Sequence, residues 1–105
     1  MARQTFVGTG TKDPRERIDW TQNWADLLVP LDDHIVALTP IICFPGTLDD
    51  ASAEITIANS QFTELDTTLT IEDGINGRTY AASCIVDTFR RRRFVRSYRV
   101  RCFLK

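Results

Sequence analysis

Histidine is almost missing from this chain: His34 is the only one. Cysteine is sparse too. Cys43, Cys84 and Cys102 lie far apart, odd in number and with no Cys-x-x-Cys pair. A zinc site needs about four Cys, His or acidic ligands, usually in close sequence pairs. No metal site is therefore expected, and the cysteines read as reduced, buried, small apolar residues. Cys84–Cys102 is the one disulfide worth checking, and it needs a hairpin turn centred on Arg93. Such a bond is unusual in a cytoplasmic chain. Asp32-Asp33 and Asp49-Asp50 fall in loops as turn formers, far short of the six to eight converging oxygens of a calcium cage.

Catalytic signals are equally thin. His34 has no serine or cysteine in a nucleophile context, and no glycine-rich loop opens a helix. No catalytic residue and no cofactor are expected. No apolar run approaches the ~18 residues of a membrane span. The longest, Ile35–Phe44, is broken by Thr39-Pro40, so no membrane partner is expected. Met1–Pro14 is polar rather than a basic-then-apolar leader, which points to folding in a cytoplasm.

The last absence is acid at the C-terminal end. Thr88–Lys105 holds eight basic residues and no Asp or Glu. Arg90, Arg91, Arg92 and Arg93 form one run, followed by Arg96, Arg99, Arg101 and Lys105. The first 87 residues carry all 14 acidic side chains and only five basic ones, Arg3, Lys12, Arg15, Arg17 and Arg78. A chain of net charge −1 is thus sharply two-signed. That distribution suits complementary docking, between copies or to a charged partner.

The 105 residues make one domain, enough to bury roughly 60–70% of the unfolded surface without disulfides. Residues 1–14 read as an N-terminal arm, punctuated by Gly8, Gly10 and Pro14 and ordered against a partner. Residues 15–105 read as the domain itself. A short strand is expected near Ile18–Asn23, then a helical turn through Trp24–Leu28 that Pro30 ends. His34–Phe44 reads as a strand with two apolar faces, which points to contact beyond the domain's own core. Pro40 places it at an edge or a bulge. Ala53, Ile55 and Ile57 alternate with polar positions, as do Leu65, Thr67, Leu69 and Ile71. Asp73-Gly74-Ile75-Asn76-Gly77 is the strongest turn signal. Tyr80–Val86 and Tyr98–Leu104 alternate again. About seven strands with almost no helix predict an all-β fold, an immunoglobulin-like β-sandwich with an extended N-terminal arm.

Arg90–Arg93 falls at or near the turn between the last two strands. Arg99 and Arg101 project opposite Tyr98, Val100 and Cys102. Three readings of this basic turn and stripe stand open. It is a solvated outer face with arginine stems over apolar surface, a contact with acidic protein, or a phosphate grip aided by Phe89, Phe94 and Tyr98. The pI of about 5.7 argues against a nucleic-acid partner. Trp20 and Trp24 read as core or arm-packing residues, with a carbohydrate-binding surface as the other reading.

Several short motifs are similar to those of a known family. Gly10-Thr11-Lys12-Asp13-Pro14, then Ile18-Asp19-Trp20, then Asn23-Trp24 with Leu27-Leu28, resemble the opening of fiber-tail adaptor or neck (head-tail connection) proteins of tailed phages. Gly74-Ile75-Asn76-Gly77, Tyr80, Thr88, Arg92 and Arg96-Ser97-Tyr98 are similar to that family's C-terminal half. Two departures stand out: the family's glycine before the arginine is Arg91, and its Asp before Trp24 is Asn23. Arg91 implies a turn of different type or length. The resemblance implies an immunoglobulin-like sandwich, a virion protein made in the host cytoplasm and present in many copies. It implies other virion proteins of tail, neck or fibre as partners, and a homo-oligomeric ring with heterologous contacts. The polar arm itself is expected to dock by adding a strand to the edge of an adjacent subunit. The interface candidates are Lys12, Asp13, Pro14, Trp20 and Trp24, with Arg90, Arg91, Arg92, Arg93, Arg96, Arg99 and Arg101. The alternative function is a nucleic-acid-binding module built on the arginine-rich hairpin.

Overall fold

A computed structural model describes residues 4–105. Of the expected arm, Met1, Ala2 and Arg3 lie outside the described residues. Seven strands and one helical turn follow in the order β1 (Gly8–Lys12), β2 (Ile18–Asn23), α1 (Ala25–Leu28), β3 (Ile35–Cys43), β4 (Ile55–Phe62), β5 (Asp66–Asp73), β6 (Thr79–Thr88) and β7 (Arg93–Cys102). They form two sheets, ordered β1-β7-β6-β3 and β2-β5-β4. Every pairing is antiparallel except β1 with β7. The fold is all-β, and its two sheets are consistent with the expected immunoglobulin-like build.

The alternation read from the sequence sets the inner faces. Trp20, Leu69, Ile71 and Ile55 of the small sheet meet Ile42, Tyr80, Ala82, Cys84, Val86 and Val100 of the large one in a single core. Trp24 is fully buried at the start of α1, and its indole N–H donates to the buried Thr67 hydroxyl at 2.9 Å. The hydroxyl satisfies the one polar atom of the buried ring.

Helix α1 is a single turn. Asn23 starts it by accepting the Ala25 N–H on its side-chain oxygen at 2.8 Å. That is work an Asp does equally well, so the Asn23 departure changes nothing locally. Val29 closes the turn and Pro30 follows. The strand expected around 53–58 begins later and runs further. Ala53 sits exposed in a turn, and β4 carries a bulge between Ile57 and Asn59.

Edge strand β3 has Pro40 in its middle, where the missing N–H faces no ladder partner. Gly74 and Gly77 both adopt positive φ, as the turn signal demanded. The Tyr80 hydroxyl locks that turn, accepting the Ile75 N–H at 3.0 Å and donating to Glu54 at 2.9 Å.

Part of the expected arm is built into the domain. Residues 8–12 add a strand to the chain's own β7. Gly8 and Gly10 leave room for the Tyr98 ring, and a Cβ at Gly10 would collide with it. Tyr98 in turn stacks on Trp20, centroids 5.0 Å apart. Upstream, the Val7 N–H donates to the Ser97 carbonyl, and Gln4 reaches both Ser97 and Gly46.

The cysteine pairing fails on register. The β6–β7 hairpin is centred on Arg90, so Cys84 opposes Arg96, and Cys102 lies beyond the Thr79–Arg101 pair. All three cysteines are free and buried. Burial pushes the Cys84 and Cys102 thiols up, which keeps them protonated and inert.

Candidate interaction surface at the arginine hairpin

The β6–β7 turn is a type I turn closed by a left-handed residue. The Arg91 N–H donates to the Thr88 carbonyl at 3.0 Å, and the Thr88 N–H donates to the Arg92 carbonyl at 2.9 Å. Arg91 is the left-handed position, with φ 62°. This corrects the expectation of a different turn. The backbone keeps the glycine-type conformation, and arginine adopts it at a cost of about 1–2 kcal/mol.

A buried aspartate fixes the hairpin to the rest of the domain. Asp33 follows α1, and its side chain is fully enclosed. It accepts the backbone N–H groups of His34 (2.9 Å) and Arg90 (3.1 Å) and the Arg92 guanidinium (3.2 Å). Burial pushes the carboxyl up, but the Thr88 hydroxyl, these two N–H groups and Arg92 outweigh it and hold it down at about 2. The Phe89 N–H donates to the His34 carbonyl at 2.9 Å, and the two rings stack at 5.0 Å.

The other arginines divide by partner. Arg90 pairs with Asp32 at 2.8 Å and Arg93 with Asp87 at 2.7 Å. Arg96 is mostly enclosed, forks onto Asp26 at 2.9 and 3.1 Å, and lies 4.7 Å over the Trp24 ring. Its guanidinium holds the Asp26 carboxyl below its ordinary value. Arg99 lies over Phe6 at 4.5 Å and Arg101 over Phe103 at 5.4 Å. Among the described residues Arg91, Arg99 and Arg101 make no ion pair. Much of the basic tail is thus already matched by carboxylates of its own chain.

The N-terminal candidates sit elsewhere. Lys12 is fully buried, and its ammonium donates to the carbonyls of Asp73 (2.6 Å), Asp13 (2.9 Å) and Pro14 (3.4 Å). Asp13 is buried beside it and accepts the backbone N–H groups of Arg15 and Lys105 and the Arg15 guanidinium. These bonds, the Arg15 guanidinium first, hold the Asp13 carboxyl well below the usual range. Lys12-Asp13-Pro14 is therefore a corner that ties the end of β1 to the β5–β6 turn and to the C-terminal residues. Trp20 and Trp24 face the core. The structure brings together Trp24 with Arg96 and Arg90 with Arg92. It separates the Lys-Asp-Pro corner from the hairpin tip, which lies at the opposite end of β7.

Sequence reasoning missed two participants, Asp32 and Asp33, which read as loop formers although an acidic pair and a basic run are an evident match. Phe89, which the sequence offers as a stacking aid beside the arginines, is two-thirds exposed. Val29 and Leu31, also exposed, lie in the α1–β3 loop that carries Asp32.

Two sheets around one core thus hold out a braced, charged hairpin. Residues 12–101 match the family described as Podophage GP4 fiber-tail adaptor protein gp77. The chain belongs to that family, and so is a phage tail structural adaptor. It matches no curated protein and no solved structure.

Proposed function

We propose that this chain is a virion protein of the tail or neck that joins fibres or neighbouring ring proteins through protein–protein contacts. It acts in many copies, as a homo-oligomeric ring, and carries out no reaction. Family membership supports the tail assignment. The observation that carries the contact reading is the hairpin: Asp33 fixes its base while Phe89 and Arg91 are presented outward.

Nucleic-acid binding through the same hairpin is the weaker reading. Phosphate affinity grows with the number of cations free to neutralise phosphates, and Arg90, Arg92 and Arg93 already face aspartates. Removing the gene is the test. Particles assembled without the chain are expected to lack fibres, and immunolabelling is expected to place the chain in the tail of wild-type particles. Complete fibres on particles without it would contradict the reading.

A further inference from the structure

Two surfaces of this chain complement each other, and each keeps a charged group that is unpaired among the described residues. The first is the hairpin tip. Phe89 is exposed, and among the described residues Arg91 is the one member of the four-arginine run without a carboxylate. Arg91 also holds a φ of 62° that glycine would hold freely. A strained side chain at an exposed turn points to a use for that side chain. The second surface is a groove of about 540 Å³ on the open side between edge strands β3 and β4. Pro40, Ile42, Ile57 and Ala58 give it an apolar part, and five polar residues, Asp50 and Ser52 among them, form the rest. The Asp50 carboxylate accepts only from Ser52 and meets no cation among the described residues.

We propose that the tip of one copy seats in the β3–β4 groove of a second copy, Phe89 against the apolar lining and Arg91 against Asp50. The groove's volume falls in the range of roughly 300–1,000 Å³ that encloses small ligands, enough for an aromatic ring and a guanidinium. The tip offers a cation without a carboxylate, and the groove a carboxylate without a cation. A track of phosphates would call for several free cations side by side, whereas the tip has one. Tip and groove are different surfaces, so the contact is heterologous and repeats from copy to copy until it closes. The inference rests on the multi-copy adaptor reading above.

Charge reversal in assembled particles tests it. Arg91→Glu and Asp50→Arg are each expected to lower incorporation roughly tenfold or more, and the double variant is expected to restore it. Arg91→Gly relaxes the backbone and is expected to fold at least as well while also incorporating poorly, which separates lost contact from lost folding. Wild-type incorporation of either single reversal would overturn the proposal, as would a double variant no better than the singles. Loss with Arg91→Glu but not with Asp50→Arg would assign the tip to another virion protein. Salt-sensitive binding of single-stranded DNA that vanishes with Arg91→Glu would assign it to phosphate. Either result overturns the self-contact while leaving the adaptor reading intact, whereas absence of the wild-type chain from particles overturns the adaptor reading itself.

Discussion

Charge serves opposite ends in two regions of this molecule. At the Lys12-Asp13 corner both charged groups are buried and saturated with hydrogen bonds, mostly to backbone. At the β6–β7 hairpin the charges are largely exposed, paired side chain to side chain, with Arg91 left over. A buried ion is tolerated only where its surroundings replace water, and removing it strands the groups that did so. An exposed pair contributes little to stability. The corner therefore serves folding, whereas the hairpin leaves charge available for the contact proposed above, although both are simply charged residues in the sequence.

Substitutions can break or sharpen that contrast. The largest effect is expected from Lys12→Ala, which leaves three carbonyls at the corner without their donor. A loss on the order of 3 kcal/mol is expected in urea unfolding, and a loss below about 0.5 kcal/mol, typical of exposed sites, would remove the corner's structural role. Acid comes next. The Asp13, Asp26 and Asp33 carboxyls lie below their ordinary value near 3.8, Asp33 at about 2. A carboxyl held down in the folded state contributes stability that is complete above its unfolded pKa and lost as pH falls through the folded one. Thermal melts are expected to drop progressively below about pH 4 and down toward pH 2. In an Asp33→Asn variant, which lacks one of these carboxyls, the drop is expected to be shallower, and an unchanged acid profile would contradict the role given to Asp33.

Smaller effects belong to the hairpin itself. Arg91→Gly is expected to raise stability by about 0.5–1 kcal/mol, because glycine takes the left-handed conformation without strain. A destabilised variant would mean that Arg91 holds the fold. Arg90→Ala removes a pair with the almost fully exposed Asp32, so a change within about 0.5 kcal/mol is expected. A much larger loss would erase the distinction between the two regions.

Much of the fold was legible in the sequence because period-two alternation writes burial directly into β5 and marks the inward face of β6, although Ala81 and Ser83 on its other face are buried as well. Tyr80, Ala82, Cys84 and Val86 point inward as their spacing required, as do Thr67, Leu69 and Ile71. Register was not legible. Arginine density marked the turn but not its centre, which lies at Arg90, where Asp33 holds the Arg90 N–H and the Arg92 guanidinium from across the chain. The β4 bulge and the parallel docking of β1 also depend on partners distant in sequence.

The site was legible in part. Arginine density marked the hairpin, but composition cannot tell a cation with an aspartate beside it from one without. Lys12, Asp13, Trp20 and Trp24 carried the family resemblance, and the fold draws all four inward.

The division between a folding corner and a contact hairpin is tested most directly by comparing stability and particle incorporation for one variant, Phe89→Ser combined with Arg91→Glu. Both side chains lie on the surface and the Phe89 ring stacks on His34, so a melting temperature lowered by no more than a few degrees is expected, together with incorporation reduced roughly tenfold or more. A variant that melts like wild type and enters particles at the wild-type level would contradict the account.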